Sequence, residues 1–169
     1  MRVLSLFLLV FFISCSDESD NGFGNNSGNN LGFGEFTVKI DGTNWNASKG
    51  IVFANITAVD TISSLLITAA KSLSSSDAEA MAILISSAGN INNLEDTFQL
   101  NSISGSALAF SRDIGETSIS YISMSGQVNI SKVTATNVIG TFNAFCVNEA
   151  DENDTITMTD GAFNATIGN

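Results

Sequence analysis

The chain has 169 residues, with 6 lysines and arginines against 17 aspartates and glutamates, a formal net charge of −11, no histidine and no proline. This balance excludes the basic footprint that DNA or RNA binding needs, and it provides no electrostatic attraction to an anionic bilayer. Without histidine there is no Ser-His-Asp or Cys-His arrangement, and the commonest general base and usual zinc ligand are missing.

Met1-Arg2 opens an apolar run from Val3 to Ile13, broken only by Ser5, and the chain turns abruptly polar after Ser14-Cys15. The run is about half of the ~20 apolar residues that cross a bilayer core. It has the length of a signal-peptide apolar region. A basic start, an apolar core and a small residue before a cysteine resemble a bacterial lipoprotein signal, with Phe12 standing where such signals most often carry Leu. The expectation is a signal peptide over 1–14, cleavage before Cys15 and acylation of Cys15, with palmitate-type chains holding the protein at the outer membrane. One acyl chain binds a membrane marginally and two or more bind it stably. Cys146 then remains as the single unmodified thiol, so no intramolecular disulfide forms even in a compartment that permits one.

Residues 16–34 read SDESDNGFGNNSGNNLGFG. Glycine, asparagine, serine and acid at this density bury too little apolar surface to offset the entropy of ordering. Together with the lipidated Cys15, this segment is expected to be a flexible tether over 15–34, spanning roughly 25 Å. A phosphate-binding glycine loop needs a strand before it and Lys-Ser/Thr after it, and neither is present.

From Glu35 the pattern has period two. Phe36, Val38 and Ile40 alternate with Thr37 and Lys39, then Asp41-Gly42 gives a turn signal and Trp45 follows. Ile51, Phe53 and Asn55 oppose Val52, Ala54 and Ile56; Leu65 to Ala70 and Met81 to Ile85 are apolar runs of strand length. Between them, Asp77, Ala78, Glu79 and Ala80 favour helix and Ser76 suits a cap. A loop running into a strand near Met81 fits the flanks better. Farther on, Val128, Ile130 and Lys132 alternate with Asn129 and Ser131; Phe142, Ala144 and Cys146 share a face; Ile156 and Met158 alternate with threonines. Asp160-Gly161 reads as a second turn before Phe163, Ala165 and Ile167. Short alternating strands bounded by Gly, Asn, Asp and Ser predict an all-β domain over 35–169, a single antiparallel β-sandwich or flattened barrel. The absence of proline permits long ladders.

Three stretches carry a resemblance: Phe36-Thr37-Val38-Lys39-Ile40-Asp41-Gly42 with Trp45; Ser125-Gly126-Gln127-Val128-Asn129-Ile130; and Gly140-Thr141-Phe142 leading to Thr159-Asp160-Gly161-Ala162-Phe163. Together they resemble the small β-rich lipoproteins of unknown function common in the Bacteroidetes, which start with Asp-Gly-x-x-Trp and end with Gly-Thr-Phe and Thr-Asn-Gly-x-Phe. Asp160 stands where Asn is usual. The resemblance implies no activity. In the same bacteria an acidic pair soon after the lipidated cysteine resembles a cell-surface export signal, and Asp17-Glu18 occupies that place. The other reading of the pair is a solvated tail.

The candidate sites are few. Free Cys146 on an apolar strand face reads as a small buried hydrophobe, because a reactive thiolate needs a positive neighbour. Trp45, and with it Tyr121, reads as core packing or as a sugar-stacking platform. Glu149-Ala150-Asp151-Glu152-Asn153-Asp154 is dense enough in carboxylates for a hard cation, lacks the EF-hand spacing, and reads as a solvated loop between strands. Asp60-Thr61-Ile62 and Asp154-Thr155-Ile156 resemble an O-glycosylation signal of these bacteria. The expectation is a non-enzymatic binding or accessory module without cofactor or resident metal, whose partners are the membrane, through lipid, and an extracellular glycan or protein. The alternatives are a glycan-directed enzyme using paired acids and a structural envelope protein without ligand.

Overall fold

Alternation becomes architecture in this chain because strands with one apolar face must close on themselves to hide it. The structure, a computed structural model, describes residues 31–59, 62–72, 78–88, 94–101, 103–112 and 118–168. The signal peptide, Cys15, Asp17-Glu18 and the tether as far as residue 30 lie outside the described residues, as do Asp60, Thr61 and the proposed cap Ser76.

Ten strands follow in order: β1 (Glu35–Ile40), β2 (Thr43–Asn46), β3 (Val52–Val59), β4 (Ile62–Ala70), β5 (Glu79–Ala88), β6 (Thr97–Gln99), β7 (Ala107–Arg112), β8 (Ile119–Val133), β9 (Asn137–Asn148) and β10 (Thr155–Ile167). The described chain is all-β. Seven strands close a ring, β3-β4-β5-β7-β8-β9-β10, and β1, β2 and β6 extend its walls. The pairing is antiparallel except at the seam, where Thr166 and Ile167 of β10 run parallel to Phe53 and Ala54 of β3. Between the two sequence-level alternatives, sandwich and flattened barrel, the ring closure selects the barrel.

The register sets the shape. Leaving β10 at Thr166 and stepping across Phe53, Thr68, Ala82, Ala109, Ile122 and Val147, the ladder returns to β10 at Thr155, the opposite end of the same strand. So large a stagger tilts the strands strongly, and with only seven of them in the ring the interior stays narrow enough for side chains to fill it. The long strands bend to serve both walls. One edge of β8 pairs first with β7 and then with β6, and one edge of β10 pairs first with β1 and then with β3. Register shifts at Met124, Ser131 and Thr159-Asp160 mark the bends, as bulges do in curved sheets.

The interior is mostly apolar, with Ser63, Ser106, Ser123, Asn137 and Asn164 the buried polar residues among those described. Phe36, Leu65, Ile67, Met81, Ile83, Ile85, Leu108, Phe110 and Phe163 are among its fully buried side chains. Each contributes roughly 1.5–3 kcal/mol when removed from water. An aromatic cluster spans the middle: Phe36 lies 5.8 Å from Trp45 edge-on, 5.2 Å from Phe142 and 6.0 Å from Phe163 between ring centroids.

The first hairpin is as the sequence reads. Asp41 and Gly42 take φ of 48° and 80°, the paired positive values of a two-residue type I′ turn. Asp160-Gly161 is different. The expected turn is a bulge inside β10, with Asp160 at φ 54° and pairing to β9 resuming at Gly161. Both motifs supply a residue tolerant of positive φ; the ladder on each side decides whether the chain reverses. Glu79 and Ala80, helix-favouring in isolation, open β5, because their apolar continuation is claimed by β4 and β7.

Candidate functional site

The connections gather Lys71, Glu79, Arg112 and Asp154 at one pole. β4 ends there and β5 begins, β7 ends and β8 begins, β9 ends and β10 begins, and the Asp41-Gly42 turn of the first hairpin arrives beside them. Strand interiors face a largely apolar core, so charged residues stand at strand ends or on outward positions, as Lys39 and Asp160 do, where heads reach water and stems stay packed.

Glu79, the first residue of β5, is the hub. Its Oε2 accepts a hydrogen bond from Trp45 Nε1 at 2.8 Å and lies 3.3 Å from Lys71 Nζ. Arg112 Nε, at the end of β7, stands 3.4 Å from Oε1, and it is buried without a hydrogen bond. The Arg112 guanidinium sits 5.2 Å over the Phe110 ring and 5.9 Å from that of Tyr121, a cation–π stack on a rigid aromatic base.

Tyr121 connects this hub to the β9–β10 loop. Its hydroxyl donates to Asp154 Oδ2 at 2.9 Å, and Asn148 Nδ2 donates to the same oxygen at 2.8 Å. The Asn148 and Tyr121 hydrogen bonds hold the Asp154 carboxyl below its usual range, helped by the Arg112 charge. Burial, and then the bond to Asp154, raises the Tyr121 hydroxyl. Asp41 joins from the hairpin, its Oδ1 accepting from the Thr157 amide at 2.8 Å. An open depression lined by Ser118, Ile119, Ser120, Asn148, Glu149 and Ala150 lies beside the loop.

The chemistry available follows from this engagement. Glu79 accepts from an indole donor and lies between two cations, and Asp154 Oδ2 accepts from two donors, so each acts as a clamp. Glu149, Asp151 and Glu152 are exposed, and the Asp151 carboxylate is turned onto the amide and side chain of Asn153. Among the described residues no group of three or more Cys, Asp or Glu side chains could hold a metal ion. The 149–154 segment is the loop between β9 and β10.

Trp45 and Tyr121 are both buried. They pack the core and keep only a polar tip at the pole, so neither offers a face to a sugar. Cys146 is fully buried on β9, and burial pushes its thiol up to about 12. Thr155 of the Asp154-Thr155-Ile156 triplet is exposed at the start of β10. The Lys71–Glu79–Arg112 hub was not read from the sequence. Its trace there is an acid just before one apolar run and an arginine just after another, with no short spacing to join them.

At the opposite pole the chain is pinned where residues 31–34, the end of the segment expected to be a tether, meet the body. Asn164 Nδ2 donates to the Leu31 carbonyl at 2.8 Å, and the Gly34 amide donates to the Asn164 carbonyl at 2.8 Å. The buried Asn137 side chain, at the β8–β9 turn, donates to Asn164 Oδ1 at 2.7 Å. Comparison with protein-family models, with curated proteins and with solved structures finds no match to this chain.

Proposed function

We propose that the chain is an outer-membrane lipoprotein, acylated at Cys15, whose barrel is a non-enzymatic binding or accessory module presented away from the membrane. The observation that carries this reading is the opposition of the two poles. Leu31 to Gly34 joins the body at the pole of Asn137 and Asn164, whereas Lys71, Glu79, Arg112 and Asp154 gather at the other. A lipid at the far end of the tether then leaves the charged pole outermost. The partner class is an extracellular glycan or protein met at that pole through polar contacts. The interior is filled by aromatic and aliphatic side chains among the described residues, which places a partner on the outside. The engagement of Glu79 and Asp154 in fixed bonds supports binding over acid–base catalysis, because a catalytic carboxyl must be able to exchange its proton with substrate.

The test is metabolic labelling with a fatty-acid analogue, with Cys15→Ala beside the wild type. Label on the wild type and none on the variant, which keeps its leader, is the expected result. Label on the Ala variant, or none on the wild type, overturns the anchor.

A further inference from the structure

An outward phenylalanine on a barrel strand has no core to fill, and Phe145 of β9 is one. Its neighbours Ala144 and Cys146 are buried, and it stands 41% exposed. The register places Ser125 of β8 on one side of it and Thr157 of β10 on the other. Two residues along the same face come Asn143 of β9, opposite Gln127 of β8, and Thr159 of β10. These five side chains are exposed and have no hydrogen-bond partner among the described residues. The ring is thus surrounded by three hydroxyls and two amides with open donors and acceptors. The patch lies on the flank of the barrel beside the charged pole, where β9 ends at Asn148.

We propose that this patch binds a neutral glycan, with the C–H face of one sugar ring on Phe145 and its hydroxyls on Asn143, Gln127 and Thr157. The proposal names the partner class of the reading above and rests on that reading for the exposure of this flank on the cell. The surroundings select the ligand. None of the six residues is charged. Asp41 and Asp160, which border the patch, are engaged: Asp41 Oδ1 accepts from the Thr157 amide at 2.8 Å, and Asp160 is bonded to Lys39 at 2.9 Å. They leave a cationic partner no free acid, and in a chain of net charge −11 they repel an acidic one. A protein surface laid on the ring would cover the open amides and hydroxyls with apolar groups and leave them unsatisfied, at the cost of their desolvation. A sugar meets both needs, since its C–H face suits the negative face of the ring and its hydroxyls both donate and accept. Met124, 55% exposed at the β8 bulge, gives a second apolar contact next to Ser125, so more than one sugar unit is covered. Phe53, 46% exposed on β3, lacks this setting. It pairs with Thr68 and Thr166, and the amide beside it on β3, Asn55, is held by Thr57 at 3.1 Å.

The test is saturation-transfer NMR on the full chain as expressed, with cellohexaose, mannohexaose and xylohexaose as neutral probes and hexagalacturonic acid as the charged one. The expected result is transfer to the ring protons of at least one neutral probe and none to the acid. Phe145→Ala should abolish it and Phe53→Ala should leave it unchanged, with Trp45 fluorescence the same in both to show that the barrel is intact. Asn143→Ala, which removes one pair of hydrogen bonds and keeps the ring, should raise the dissociation constant about three- to tenfold. No transfer to any neutral probe, equal transfer to the acid, or transfer that survives Phe145→Ala would each overturn the proposal. The last of these would still leave a glycan bound at the charged pole, so the site fails separately from the broader reading. Acylation is not needed for the readout, so the outcome is also separable from that of Cys15.

Discussion

Cys146 has neither of the things that make a thiol a nucleophile, a cation beside it or water around it. Burial raises its pKa from 9.0 to about 12, and the same cause raises Tyr121. Both shifts favour the neutral form in the folded chain, which fixes the sign of the pH dependence. Below the usual thiol value both states hold the proton and the thiol gives stability no slope. Above it the unfolded chain loses the proton first, so stability falls as pH rises towards the folded value, by at most about 1.4 kcal/mol per pH unit from one group. Urea unfolding between about pH 8 and about pH 10.5 should show a steeper loss for wild type than for Cys146→Ala. Equal slopes would remove the thiol from the account. The character of this residue was legible in the sequence, since a cysteine in line with Phe142 and Ala144 faces where they face. The Trp45–Glu79 bond was not, because it joins residues 34 apart across the barrel, and no local spacing encodes a pairing set by ring closure.

At the scale of elements, the stretches that carry the lipoprotein resemblance interlock. Gly140 of β9 lies opposite Phe163 of β10, and Gly161 of β10 lies opposite Phe142 of β9. Each glycine makes room for the ring across from it: a Cβ on Gly161 would fall 2.6 Å from the Phe142 ring, and one on Gly140 2.5 Å from both Phe163 and the Asn129 carbonyl. Gly-Thr-Phe and Gly-x-Phe are thus two halves of one packing device, with Phe36 from the first hairpin completing it. Gly140→Ala should cost about 1–3 kcal/mol, the range for overfilling a packed site, whereas Thr141→Ala, exposed next to it, should cost little. Denaturant midpoints of the two variants decide this; a neutral Gly140→Ala would mean that the ring moves freely. Strands with clean alternation were legible for the same reason, since the core selects one face and water the other. β6, β7 and the first half of β8 escaped. β6 is three residues long, and Ile122 and Met124 put apolar side chains on the outer face as well, which blurs the period. What hid the first half of β8 from a pattern reading is that apolar side chains stand on both of its faces.

At the scale of the whole molecule, the question is what a barrel with two unlike poles gains from a tether. The acidic pair Asp17-Glu18 precedes a segment without a basic residue, and the body begins at the pole remote from the Glu79 hub. If the pair is an export address, its recognition depends on two side chains near the lipid and on nothing in the barrel. Asp17→Ala with Glu18→Ala should then leave acylation and folding intact and strand the protein on the inner leaflet of the outer membrane. The reach expected of a tether over 15–34, about 25 Å, is the same either way, so loss of display would not be a matter of length. Net charge does not compete as an explanation, because removing two acids from so acidic a chain weakens repulsion from the anionic surface instead of strengthening it. The measurement is protease shaving and antibody labelling of intact cells, wild type against variant, with fatty-acid labelling in parallel. The outcome expected is an accessible wild type and a protected, still acylated variant. Equal accessibility would reduce Asp17-Glu18 to solvated tether, and an inaccessible wild type would turn the charged pole towards the periplasm, where its partner would then have to be sought.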